Sequence, residues 1–184
     1  MYLKRAEGRL MFYLRFVFLA LMLFFIGCSS SPKPVDGSDE EFAKKAIAIE
    51  YESSKELNMY DNESHVIPLV VYQLNDINGF NGLKKDKAGI IKLLEAKKFD
   101  KTVMGVNKFF ISPNEKKELF LDRATKTTWI CLVVGYYEMQ PSQSTLAYKI
   151  PDYTAWKFYE SKKTQQFLPI NIYFDKSSIQ KRQE

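Results

Sequence analysis

The chain has 184 residues, 27 Lys and Arg against 22 Asp and Glu, and a single histidine, which leaves no means of building a multi-histidine metal site. Its formal net charge of +5 misleads, because four basic residues and one acid lie within the first 27 positions. Residues 28–184 carry 23 basic against 21 acidic residues, net +2, with their lysine pairs dispersed, so composition argues against a nucleic-acid track.

Residues 1–27 begin with Lys4, Arg5, Arg9 and Arg15, then run apolar over the eleven residues 16–26, FVFLALMLFFI. A spanning helix needs about twenty apolar residues, whereas a secretory signal needs roughly seven to fifteen. The length predicts a cleaved signal, the alternative being a retained anchor over 10–27 with Arg15 inside it. The Phe25-Ile26-Gly27-Cys28 seam resembles the lipobox of bacterial lipoproteins: a large apolar residue, a spacer, a small residue at the cut, then cysteine. Phe25 departs from the usual Leu. The resemblance implies that Cys28 becomes the lipid attachment site, its thiol a thioether to diacylglycerol and its new amino terminus acylated. The other reading is a chance cysteine at the end of an ordinary signal. Cys131 sits in an apolar run and is expected to be a small core residue; with Cys28 lipidated, no internal disulfide is expected. Behind Cys28, residues 29–41 lack periodicity and read as a flexible tether, ~43 Å long if fully extended.

Residues 42–177 read as one domain, followed by a polar tail over 178–184. The spacing is mostly that of strands. In 46–53 Ile47, Ile49 and Tyr51 alternate against Glu50 and Glu52. Further strands are expected at 67–74 (IPLVVYQL), 108–112 ending at a Pro113-Asn114 turn, 117–123 with Leu119 and Leu121 inward, 127–138 placed centrally, 155–160 and 168–175. Residues 79–83 are expected to turn. Residues 86–98 alone have helical spacing, with Asp86 as N-cap and Gly89 as a weak point. This predicts a mainly β fold, a two-sheet sandwich with a short helical insertion.

The chemical inventory is sparse. His65 lies in a polar loop, and no nucleophile elbow, phosphate loop or C-x-x-C pair is present. No cofactor, metal, small-molecule substrate or nucleic acid is expected, and the chain is not expected to be an enzyme. Asn62-Glu63-Ser64 matches a glycosylation sequon, read as chance on a bacterial export route. The segment 55–66 (KELNMYDNESHV) is longer than the two to five residues of a hairpin loop. It carries Leu57, Met59 and Tyr60 among polar residues, which suits a binding hot spot. The alternative tucks those three side chains onto the sandwich beneath.

The order of these pieces resembles the TssJ (SciN) lipoproteins of the bacterial type VI secretion system. The residues that carry it are the lipobox, the Pro68-Leu69-Val70-Val71-Tyr72-Gln73-Leu74 strand with Phe80 behind it, Ser112-Pro113-Asn114-Glu115, the 129–137 run and Trp156-Lys157. Ser112-Pro113-Asn114 departs from an expected Pro-Gly, and Lys157 stands where Arg often follows Trp. The resemblance implies a transthyretin-like sandwich, lipid-anchored to the periplasmic face of the outer membrane. It implies a structural role in the secretion membrane core complex, binding the periplasmic domain of a TssM-like inner-membrane protein. Carried over by position, the contact loop is Leu57, Asn58, Met59, Tyr60, Asp61 and Asn62. Two rival readings are a lipid-anchored inhibitor or ligand-binding module, which a deep apolar pocket between the sheets would favour, and an anchored hydrolase.

Overall fold

The computed structural model of the protein describes residues 42–150 and 168–182. The signal, Cys28, the tether and the strand expected at 155–160 lie outside them. Among the described residues the strands are β1 (Ala43–Ser53), β2 (Ile67–Leu74), β3 (Val103–Ile111), β4 (Lys116–Arg123), β5 (Trp129–Val134), β6 (Thr145–Lys149), β7 (Leu168–Phe174) and β8 (Ile179–Lys181). Two helices, α1 (Asn78–Leu83) and α2 (Lys87–Leu94), lie between β2 and β3. One sheet has the order β4-β1-β7-β8 and the other β3-β2-β5-β6.

Alternation places the core. Ile47, Ile49 and Tyr51 of β1 stand opposite Leu121, Leu119 and Lys117 of the antiparallel β4. They also stand opposite Leu168, Ile170 and Ile172 of the parallel β7. Ile67, Leu69 and Val71 of β2 and Ile130, Leu132 and Val134 of β5 meet them from the second sheet. The apolar side chains among these form one core between the layers. The other face of β2 and β5 is buried too. Val70, Tyr72, Leu74, Cys131 and Val133 pack under Phe80, Ile90 and Leu93 of the helices. The molecule is therefore three layers deep at that point, which explains why IPLVVYQL is almost continuously apolar. Cys131 is fully buried, and burial pushes its thiol up to about 12.

The helical insertion corrects one expectation. Residues 79–83 form part of α1, where two glycines and two asparagines predict a turn. The Asp76 side chain accepts from the Asn78 N–H at 2.8 Å, and Phe80 is fully buried. Tertiary packing thus overrides poor helix propensity. Asp86 caps α2 as expected, accepting from the Gly89 N–H at 2.8 Å. Gly89 is a requirement more than a weakness: a Cβ there would lie 1.8 Å from the Leu83 carbonyl oxygen. The Tyr72 hydroxyl donates to the Leu93 carbonyl at 2.7 Å, tying α2 to the sheet.

Other boundaries differ from expectation. β3 starts at Val103 instead of 108, through Gly105 and Asn107, which have low strand propensity. β5 stops at Val134; Gly135 still donates to the Pro68 carbonyl at 3.1 Å, but Pro68 has no N–H to return a bond, and a Cβ on Gly135 would lie 2.8 Å from the Pro68 ring. β6 and β8 are additions to the expected strands. β8 pairs with β7 where the sequence predicts a polar tail, and its Ile179 is buried. The β3–β4 turn at Pro113-Asn114 is pinned to the end of β1. Ser53 Oγ donates to the Ser112 carbonyl at 2.7 Å and accepts from the Glu115 N–H at 2.8 Å. The Glu115 carboxylate accepts from the Tyr51 hydroxyl at 2.9 Å and the Ser112 N–H at 3.1 Å, and pairs with Lys117. Partial burial would raise the Glu115 pKa. The bonds from Lys117, Ser112 and Tyr51 outweigh that and hold it below its usual value.

Candidate partner-binding surface

The 55–66 segment joins strands of different sheets, since β1 and β2 are not neighbours. The expectation of an overlong hairpin is thereby corrected. Sheets stack about 10 Å apart, a step that about three extended residues span, so changing sheets accounts for part of the length. Leu57 is fully buried and belongs to the inter-sheet core. It anchors the crossing and cannot touch a partner in the folded protein, which corrects its expected role as an exposed contact.

The rest of the crossing is a small scaffold. The Leu57 carbonyl accepts from the His65 N–H at 3.0 Å, and the Asn58 N–H donates to the Lys176 carbonyl at 2.9 Å. Ser64 Oγ donates to the Lys55 carbonyl at 2.6 Å and lies 3.2 Å from Met59 Sδ. Tyr60 and Glu63 exchange both backbone bonds, at 2.9 and 3.0 Å. Between them Asp61 and Asn62 have φ of 52° and 63°. Two positive φ values at the centre of a two-residue turn are the pattern of a type I′ hairpin. Asp and Asn tolerate that region because their short polar side chains bond locally. The turn presents Asp61 and Asn62 at its tip, both exposed.

The predicted contact residues therefore separate. Leu57 goes inside. Asn58 and Met59 are half-buried at the base. Tyr60, Asp61 and Asn62 face outward, Tyr60 being 49% exposed. His65 is an exposed loop residue as expected, with Nδ1 3.0 Å from the Glu63 carbonyl.

One residue of this surface escapes sequence reasoning. Tyr137, in the connection after β5, is 58% exposed, and its ring lies 3.9 Å centroid to centroid from Tyr60 at 34°. Its N–H donates to Asn58 Oδ1 at 2.7 Å, fixing one segment to the other. Hydrogen bonding to Tyr60 first, then local burial and the neighbouring Glu138 carboxylate, raise the Tyr137 phenol above its usual range. The apolar run 127–138 hides it, although Gly135 is a legible strand breaker.

Among the described residues, no three His, Cys, Asp or Glu are grouped to hold a metal ion. A cavity of about 410 Å³ is lined by Lys84, Lys85, Pro141, Ser142 and Thr145, none of them in the crossing.

Comparison with known proteins bears on this surface through the fold. The family model described as type VI secretion lipoprotein, VasD, EvfM, TssJ matches residues 45–172. None of the curated proteins compared is a match. Among solved structures, the chain is similar to Serratia marcescens Lip, a membrane-bound component of the type VI secretion system. The TM-score is 0.63 at 16% identity, over 75% of this chain and 97% of that one. It is also similar to the lipoprotein TssJ1 of Pseudomonas aeruginosa, with TM-score 0.55 at 14% identity, over 75% of this chain and 96% of that one. A chain in a structure described as the TssM C-terminal domain from EAEC superposes with TM-score 0.52 at 9% identity, over 75% and 98% of the two chains.

Proposed function

The chain belongs to the type VI secretion lipoprotein family, that of TssJ, and on that premise we propose that it is the outer-membrane-anchored structural subunit of a type VI secretion membrane core complex. In this reading residues 1–27 are removed and Cys28 carries the lipid. Residues 28–41 hold the folded body just off the membrane. Two or more acyl chains anchor a protein stably where one does not. Ser29 after Cys28, in place of Asp, agrees with sorting to the outer membrane. The body then grips the periplasmic domain of a TssM-like inner-membrane protein through the tip of the 55–66 crossing. It works by binding, without catalysis.

The observation that supports this most is the exposed Tyr60-Asp61-Asn62 tip on a base fastened by Leu57 and by backbone bonds to His65 and Lys176. A surface loop already held in shape loses little conformational freedom when it binds, so more of its contact energy appears as affinity. An aromatic side chain with polar neighbours supplies an anchor and a rim. The test is direct binding of the full lipidated chain, in detergent, to the purified periplasmic domain of the TssM-like protein from the same cell. Met59→Ala with Tyr60→Ala is expected to weaken binding at least about thirtyfold with the melting temperature nearly unchanged. Unchanged binding in that variant would place the contact elsewhere.

A further inference from the structure

Tyr60 and Tyr137 come from separate segments, yet they form one exposed aromatic step, with both rings half-exposed or more. Three exposed carboxylates adjoin it in the chain: Asp61 and Glu63 in the turn, and Glu138 beside Tyr137. None of the three has an ion-pair partner among the described residues. Four acids elsewhere are paired: Glu50 with Lys116 at 3.5 Å, Glu52 with Arg182 at 2.8 Å, Glu56 with Lys176 at 3.8 Å and Glu95 with Lys97 at 3.2 Å. The aromatic step is thus bordered in the chain by three carboxylates that form no ion pair among the described residues.

We propose that Tyr137 completes the contact surface of the crossing, and that the Tyr60–Tyr137 step seats a Lys or Arg side chain from a basic segment of the partner protein. The proposal rests on the reading of 55–66 as the partner contact and adds to it a second segment and a partner chemistry. A cation over the face of a tyrosine ring is attracted by the ring quadrupole. Nearby carboxylates raise the local concentration of basic groups and speed docking. Two rings fixed against each other by the Asn58 bond to the Tyr137 N–H offer that face already formed. A neutral partner surface would gain only the burial of the two rings, and an acidic one would be repelled by Asp61, Glu63 and Glu138.

The test uses the full lipidated chain and the same purified periplasmic domain. Wild-type protein is expected to bind less tightly as salt rises from about 0.05 to about 0.5 M, because screening weakens exposed charge pairs. Tyr137→Ala is expected to lose about tenfold in affinity, Tyr137→Phe to keep nearly all of it, and Tyr137→Leu to lose as much as the alanine variant. Glu63→Lys with Glu138→Lys should slow association and flatten the salt dependence, which a merely structural role for Tyr137 would leave unmoved. Normal binding by Tyr137→Ala, alongside loss in the Met59→Ala, Tyr60→Ala variant, would overturn the composite surface and leave the loop reading intact. Full affinity in Tyr137→Leu, or no salt dependence in wild type, would overturn the cationic partner. If wild type does not bind at all, the proposed function fails, and this inference with it.

Discussion

The helical insertion after β2 and the crossing before it are both long connections on one sandwich, and they treat their apolar residues in opposite ways. In α1 and α2 Phe80, Ile90 and Leu93 are fully buried against the outer face of the β2–β5 sheet. In the crossing only Leu57 goes fully inside, while Tyr60 stays out and stacks on Tyr137. Length alone thus carries little functional information. One connection is long because it builds a second core, the other partly because it must change sheets. What distinguishes them is an aromatic side chain with no core to enter.

The largest effects are expected inside the two cores. Phe80→Ala should cost about 4 kcal/mol and Leu57→Ala about 3, as large-to-small changes at fully buried sites do. Urea unfolding of the two variants measures both. If Leu57→Ala costs less than about 1 kcal/mol, Leu57 is not the anchor and the division of the crossing into buried base and exposed tip fails. Next comes Gly89→Ala, expected to cost about 2 kcal/mol by the same measurement, because the new methyl meets the backbone of α1. No change there would mean that the two helices do not meet so closely.

A smaller effect belongs to the turn that fastens β3 and β4 to β1. Glu115→Gln should cost about 1 to 2 kcal/mol at neutral pH through weakened charged hydrogen bonds. The sign with pH comes from the direction of the shift. The folded pKa lies below the unfolded one, so the carboxylate's contribution is complete above the unfolded value of about 4.3. It is lost as pH falls through the lower folded value. The gap between wild type and Glu115→Gln should therefore close in acid, as thermal melts across pH would show. A gap that widens in acid would refute the assignment. Smallest of all is the effect of Tyr60→Ala on folding, within about 0.5 kcal/mol as for most surface changes, although it should weaken binding strongly.

How far the sequence can be read tracks the same division. β2 is legible to the residue because burial on both faces leaves an apolar run with turn signals at its ends. The start of α2 is legible from Asp86, whose cap is a local device. α1 is not, because its stability comes from Phe80 in a core that the local residues do not specify. β6 is not, because TLAYK is a short edge strand with no fully buried side chain. In the candidate surface, Tyr60, Asp61 and Asn62 face outward as their sequence suggests. Leu57 does not, since nothing local says that β1 and β2 lie in different sheets. Tyr137 is lost in the run of apolar residues that ends β5, and its relation to Tyr60 exists only in three dimensions.

Whether the crossing or the helical insertion meets the partner can be tested in intact cells producing the full chain. A photo-crosslinking amino acid would replace Asn62 at the exposed tip or Ile91, which is 52% exposed on α2. A covalent adduct with the TssM-like protein is expected from position 62 and none from position 91. An adduct from position 91 with none from position 62 would contradict the crossing as the contact.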